Sequence, residues 1–71
     1  MPHYRVWPIE GTQNYWVLAA SDDEAKRLIA LNVSSIGGDV TKLECVLDHQ
    51  FAPPNGVIMT GRGETITVSK R

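Results

Sequence analysis

Cys45, Asp48 and His49 fall close together in the chain, and with His3 they form its only cluster of side chains suited to binding a metal or to thiol chemistry. A structural zinc site takes four well-spaced ligands, usually with several cysteines. The spacing here matches no such pattern. A Cys–His nucleophile pair needs an exposed thiolate of lowered pKa, an adjacent base and a third group that orients it. Cys45 instead stands in the alternation Leu43, Cys45, Leu47, which is the inward face of a half-buried strand. It is expected to be a small buried hydrophobe. No metal ligand, cofactor site or catalytic residue is assigned, and the chain is expected not to be an enzyme, since 71 residues leave little room for a water-excluding pocket.

Gly61-Arg62-Gly63 has two glycines of a phosphate loop. It lacks the further glycine, the Lys-Ser/Thr pair and the strand-to-helix context. Its neighbours are β-prone on both sides, so it reads as a hairpin tip from which Arg62 projects as a contact residue.

The remaining candidates concern binding rather than chemistry. Tyr4, Trp7, Tyr15 and Trp16 are four of the five aromatics and lie within the first sixteen residues. Tyr15 and Trp16 are adjacent, so on a strand they face opposite ways and cannot share one core. A tryptophan left outside beside Arg5 is a good protein-contact anchor, because Trp, Tyr and Arg dominate interface hot spots. It could equally stack on a nucleic-acid base. The candidate partner contacts are therefore Arg5, Trp7, Trp16, Lys42 and Arg62.

The elements that must position these residues are legible from pattern. His3 to Ile9 reads as a strand, with Pro8 pointing to an edge position or a strand end. The turn residues Glu10 to Asn14 lead into a second strand, Tyr15 to Ala20, and the two make a hairpin. Ser21-Asp22-Asp23-Glu24 is a capping box: Ser21 accepts from the Glu24 amide, and Glu24 reaches back to the Ser21 amide. Asp22 and Asp23 add negative charge at the positive end of the helix dipole. The helix is predicted from Asp22 to about Asn32. Ala25, Leu28, Ile29 and Asn32 form its packed face, Leu31 and Val33 flank it, and Lys26, Arg27 and Ala30 lie opposite. Gly37-Gly38 breaks a loop that Ile36 pins to the core. Val40 to Leu47 is a strand, Pro53-Pro54-Asn55-Gly56 a turn, and Val57 to Thr60 with Thr65 to Val68 a second hairpin. Lys70 and Arg71 are a frayed tail that could approach Lys42 or Arg5 across the sheet. The expected fold is α+β: one amphipathic helix on one face of an antiparallel sheet of about five short strands, in the order β-β-α-β-β-β.

Composition bounds the rest. The chain is expected to make a single domain, 1–71, with 42% hydrophobic and 21% charged residues and a net charge of −1, a balance that argues against disorder. The same balance argues against a dedicated nucleic-acid binder, whose footprint is normally strongly basic. No signal peptide or membrane span is read, and a cytoplasmic location is expected. A lone cysteine forbids an internal disulfide, so a domain this small depends on packing or self-association.

The hairpin followed by a Ser-capped helix carrying Ala25-Lys26-Arg27-Leu28 resembles many short bacterial and phage-encoded proteins. Some of those are antitoxins or inhibitors that bind another macromolecule. The resemblance spans about half the chain. Its motif is generic, and it gives no residue a role. The expected function is a non-enzymatic protein-binding module of interaction or regulatory type that self-associates through a sheet edge or face. The alternative is a nucleic-acid-associated protein that uses exposed aromatic and basic residues.

Overall fold

Strand β1 (His3–Pro8) is an interior strand of the sheet, flanked on one side by β2 (Tyr15–Leu18) and on the other by β3 (Leu43–Leu47). The computed structural model describes residues 2–68, without the side chain of Ser35. Ser69, Lys70 and Arg71, and with them the expected basic tail, lie outside the described residues. Helix α1 (Asp22–Asn32) follows β2, and β4 (Val57–Thr60) and β5 (Thr65–Thr67) close the chain. The sheet order is β3-β1-β2-β4-β5, with every neighbouring pair antiparallel. The fold is the α+β arrangement read from the sequence, one helix on a five-stranded sheet. No helix among the described residues is long and apolar enough to cross a membrane.

Pro8 shows how one residue sets a boundary. Bonds from the Ala19 amide to the Pro2 carbonyl (3.1 Å) and from the Ile9 amide to the Lys42 carbonyl (2.9 Å) fix the alternation of the two ladders. Even-numbered β1 residues bond β2, and odd-numbered ones bond β3. Pro8 has no N–H to give β2, and pairing with β2 stops at Val6↔Tyr15. Towards β3 it needs no donor, and pairing continues to Pro8↔Leu43. The proline therefore ends one ladder of a central strand rather than marking a sheet edge.

The helix starts where its capping residues place it. The Glu24 amide donates to Ser21 Oγ at 3.2 Å, while the Glu24 carboxylate accepts from the Ala20 amide at 3.0 Å, one residue before the expected Ser21 amide. At the far end no glycine caps the helix. The Val33 amide closes onto the Ile29 carbonyl, and Asn32 Nδ2 donates to the Leu28 carbonyl at 2.8 Å. Ala25, Ile29 and Ala30 are the buried helical residues, and Leu31 is exposed. Ala30 was expected on the solvent side. It belongs instead to the core cluster, since α1 is packed by the sheet and also by two 3₁₀ turns that follow it, Ser34–Ile36 and Val40–Lys42. The second turn replaces the first residues of the expected strand. The Asp39 carboxylate caps it by accepting from the Thr41 amide and the Thr41 hydroxyl; the hydroxyl first, then the amide, lowers the Asp39 pKa.

Val6, Tyr15, Val17, Leu43 and Ile58 from the sheet meet Ala25, Ile29 and Val33 beneath the helix. Burying each large aliphatic side chain here contributes about 2 kcal/mol.

Candidate functional site

The face of the sheet away from α1 carries His3, Arg5 and Trp7 from β1, Trp16 and Leu18 from β2, Glu44 and Val46 from β3, and Val57 and Met59 from β4. It was expected to lie open. It does not, for a topological reason: β3 and β4 stand on opposite sides of the β1–β2 pair, so the chain between them crosses this face. That crossing, residues 48–56, forms a strap. Phe51 meets the Trp16 ring edge-on at a centroid distance of 4.6 Å, and Pro53 is fully buried. His3 Nε2 donates to the Pro53 carbonyl at 2.9 Å, which fixes the ring proton on that nitrogen. The His49 ring packs edge-on to His3 at 5.9 Å. The strap ends at Gly56, whose φ of 85° lets the turn enter β4.

Trp16 is consequently only 5% exposed, and the expectation that it offers an external contact is corrected. Its Nε1 is buried and, like Arg5 Nε, has no hydrogen-bond partner among the described residues. Arg5 lies opposite Trp16 on β1, with Nε 3.7 Å from Asp48 Oδ2, too long for a hydrogen bond. Its guanidinium lies over the Trp7 ring at 5.0 Å. Arg5 and Trp7 thus form a half-exposed pair at the border of the strap. Lys42 is exposed at the start of β3, and Arg62 is exposed on the β4–β5 turn. Both lie at the same end of the sheet, one beside each outer strand, so the five candidates do not gather into one site. Base stacking retains only Trp7 beside Arg5.

The chemistry-bearing cluster is also divided. Cys45 faces the helix side, where Val6 is its partner in β1, whereas His3 and His49 pack on the strap side. Burial pushes the Cys45 thiol up to about 11, with Asp22 adding to the rise and Lys26 opposing it. At neutral pH the sulfur is a protonated thiol rather than a nucleophile. Of the hollows in the described surface, one of about 330 Å³ lies at the loop end of the sheet between Pro8, Ile9, Gln13, Ile36 and Lys42.

The feature that sequence reading did not single out is the β3 edge. In the β1–β3 register the hydrogen-bonded pairs are His3↔Asp48, Arg5↔Val46, Trp7↔Glu44 and Ile9↔Lys42, anchored by the Asp48 amide bond to the His3 carbonyl at 3.1 Å. The N–H and C=O groups of Cys45 and Leu47 therefore point outward, away from β1. So does the Leu43 carbonyl, while the Leu43 amide turns back to the Val40 carbonyl. Leu47 is 62% and Val46 41% exposed on this strand. The opposite edge, β5, has three residues and presents Thr65 and Thr67. Short, polar edges resist pairing; longer apolar ones invite it. Sequence reading set Leu47 inward with Leu43 and Cys45, and it does face the helix side; what the sequence did not show was its exposure at the end of an outer strand. That exposure became readable only once β3 was known to be an outer strand.

Compared with protein-family models, with curated proteins and with solved structures, the chain matches none.

Proposed function

We propose that this protein is a small non-enzymatic binding module that recognises another protein by adding an extended strand to the free edge of β3. The observation that carries the reading is the outward row of Cys45 and Leu47 backbone groups, flanked by the exposed Val46 and Leu47 side chains. Strand addition draws affinity from main-chain hydrogen bonds and specificity from alternate side chains. An edge of this kind satisfies both needs without a pocket. The strap removes the other face of the sheet from consideration as a flat docking surface, and the Arg5–Trp7 pair borders β3 as a second contact. A free thiol and no disulfide suit a reducing compartment such as the cytoplasm.

The test is capture from an extract of the source organism by the immobilised chain and by two variants. Leu47→Pro removes an outward N–H that takes no part in the β1 ladder, so proline is tolerated there by the fold. Arg62→Ala truncates the hairpin tip. A partner held by the parent chain and by Arg62→Ala but lost with Leu47→Pro is the expected result. A partner retained by Leu47→Pro, with circular dichroism showing the variant folded, contradicts the proposal.

A further inference from the structure

The β3 edge is self-complementary, and the complementarity selects one register. We propose that β3 pairs antiparallel with β3 of a second copy, about a two-fold axis at Cys45, to make one continuous sheet with both helices on the same face. This rests on the edge reading above and adds the identity of the partner.

Parity restricts the choices first. Only odd-numbered residues point their backbone groups outward, so an antiparallel partner strand must set odd residues against odd ones. The two-fold axis must then fall at Glu44, Cys45 or Val46, or further towards the strand ends, where pairing shrinks.

Charge decides between the three. Centring on Glu44 sets its carboxylate directly opposite Glu44 of the second copy. Centring on Val46 sets Glu44 opposite Asp48 of the second copy. Like charges directly opposite each other destabilise a sheet. Centring on Cys45 brings Leu43 opposite Leu47 of the second copy, Glu44 opposite Val46, and Lys42 opposite Asp48. Both copies gain each of these pairs. Asp48 is already turned towards Arg5 and accepts from the Gln50 amide with Oδ1, so Lys42 of the second copy approaches a carboxylate held in place.

The hydrogen bonds follow the same register. Cys45 exchanges N–H···O=C bonds with Cys45 of the second copy, and each Leu47 amide donates to the Leu43 carbonyl opposite. The Leu43 amide does not take part, since it bonds the Val40 carbonyl. Leu47, the most exposed large hydrophobic residue of the strand, comes to lie beside the buried Leu43 of the other copy.

The experiment reads mass and register together. Analytical ultracentrifugation across a concentration series is expected to give twice the chain mass for the parent, and the single-chain mass for Leu47→Pro. Leu47→Lys serves as a second edge variant should the proline disturb folding. For the register, Glu44→Cys and Val46→Cys are each made in a Cys45→Ala background; both positions are exposed and spare the core. In the Cys45-centred register these two positions face each other at a Cα separation of about 4.5 Å, within disulfide reach. Each position lies roughly 8 Å from its own copy, beyond that reach. Copper-phenanthroline oxidation is expected to cross-link an equimolar mixture of the two variants and neither variant alone. Self-cross-linking of Glu44→Cys or of Val46→Cys overturns the register, and a single-chain mass throughout overturns the self-pairing. If that monomer still captures a host protein that Leu47→Pro loses, the edge reading stands without the dimer. If capture is indifferent to Leu47→Pro, both fall.

Discussion

Replacing Phe51 with alanine tests the covering of the sheet by the strap, on which the placement of the binding surface depends. Phe51 is 38% exposed, so more than half of its side chain is out of water, and its ring meets Trp16 edge-on at 4.6 Å. Full burial of a phenylalanine is worth about 1.5–3 kcal/mol, so the part buried here contributes roughly 1–2 kcal/mol. The ring pair adds about 0.5–1.5 kcal/mol. Phe51→Ala is expected to cost about 2–3 kcal/mol in all. With a denaturant slope of about 1 kcal/mol/M for so small a chain, the urea midpoint should fall by roughly 2–3 M. The measurement is best made with Trp7→Phe in both proteins, which leaves Trp16 as the sole tryptophan. Its emission should move to longer wavelength when Phe51 is removed, because water then reaches a ring that the strap had covered. A loss below about 0.5 kcal/mol with unchanged Trp16 emission would refute the strap as a cover, since neither burial nor ring contact would then be contributing.

Three further outcomes follow from local structure. Ser21→Ala removes the side-chain acceptor of the Glu24 amide and should lower stability by about 1 kcal/mol in urea unfolding. Gly56→Ala places a Cβ on backbone at φ 85° and should cost about 1 kcal/mol or more by the same assay, although open space surrounds the position. The raised Cys45 pKa means that the folded state holds its thiol proton more tightly than the unfolded state does. Its contribution is present below the unfolded pKa and is lost as pH rises from about 9 to about 11. The urea midpoint of the parent should therefore fall more steeply over that window than the midpoint of Cys45→Ala. Equal slopes would show that Cys45 is not held in a desolvated setting.

The helix and the terminal hairpin were legible because local interactions set them. Ser21 and Glu24 sit at the spacing of a cap, and Gly61 to Glu64 separates two β-prone runs, so neither depends on distant residues. The burial of Ala30 was not legible. Two 3₁₀ turns pack on α1 in addition to the sheet, and the second of them, Val40 to Lys42, carries the same β-prone pattern as the strand it precedes. The fate of Trp16 was further out of reach. Adjacent Tyr15 and Trp16 had to face opposite sides of the sheet, and they do. Whether the second side met water depended on β3 and β4 lying on opposite flanks of the β1–β2 pair, which is a property of strand order. Phe51 then became a cover rather than a stray aromatic in a loop. For the same reason Lys42 and Arg62 were placed on the surface by sequence, but their separation at opposite flanks of the sheet was not. The β3 edge combines both levels: the apolar residues were visible, and their exposure came from topology.

Amide hydrogen exchange along β3 tests the edge most directly. In the isolated chain Glu44, Val46 and Asp48 donate towards β1, and Cys45 and Leu47 donate outward. Exchange should therefore alternate at low concentration, slow at Glu44 and Val46 and fast at Cys45 and Leu47. As the concentration rises the Cys45 and Leu47 amides should become protected, while Thr65 and Thr67 on the opposite edge stay fast. Cys45 and Leu47 amides that exchange at the same fast rate at every concentration, and in the presence of a captured partner, would contradict a binding role for this edge.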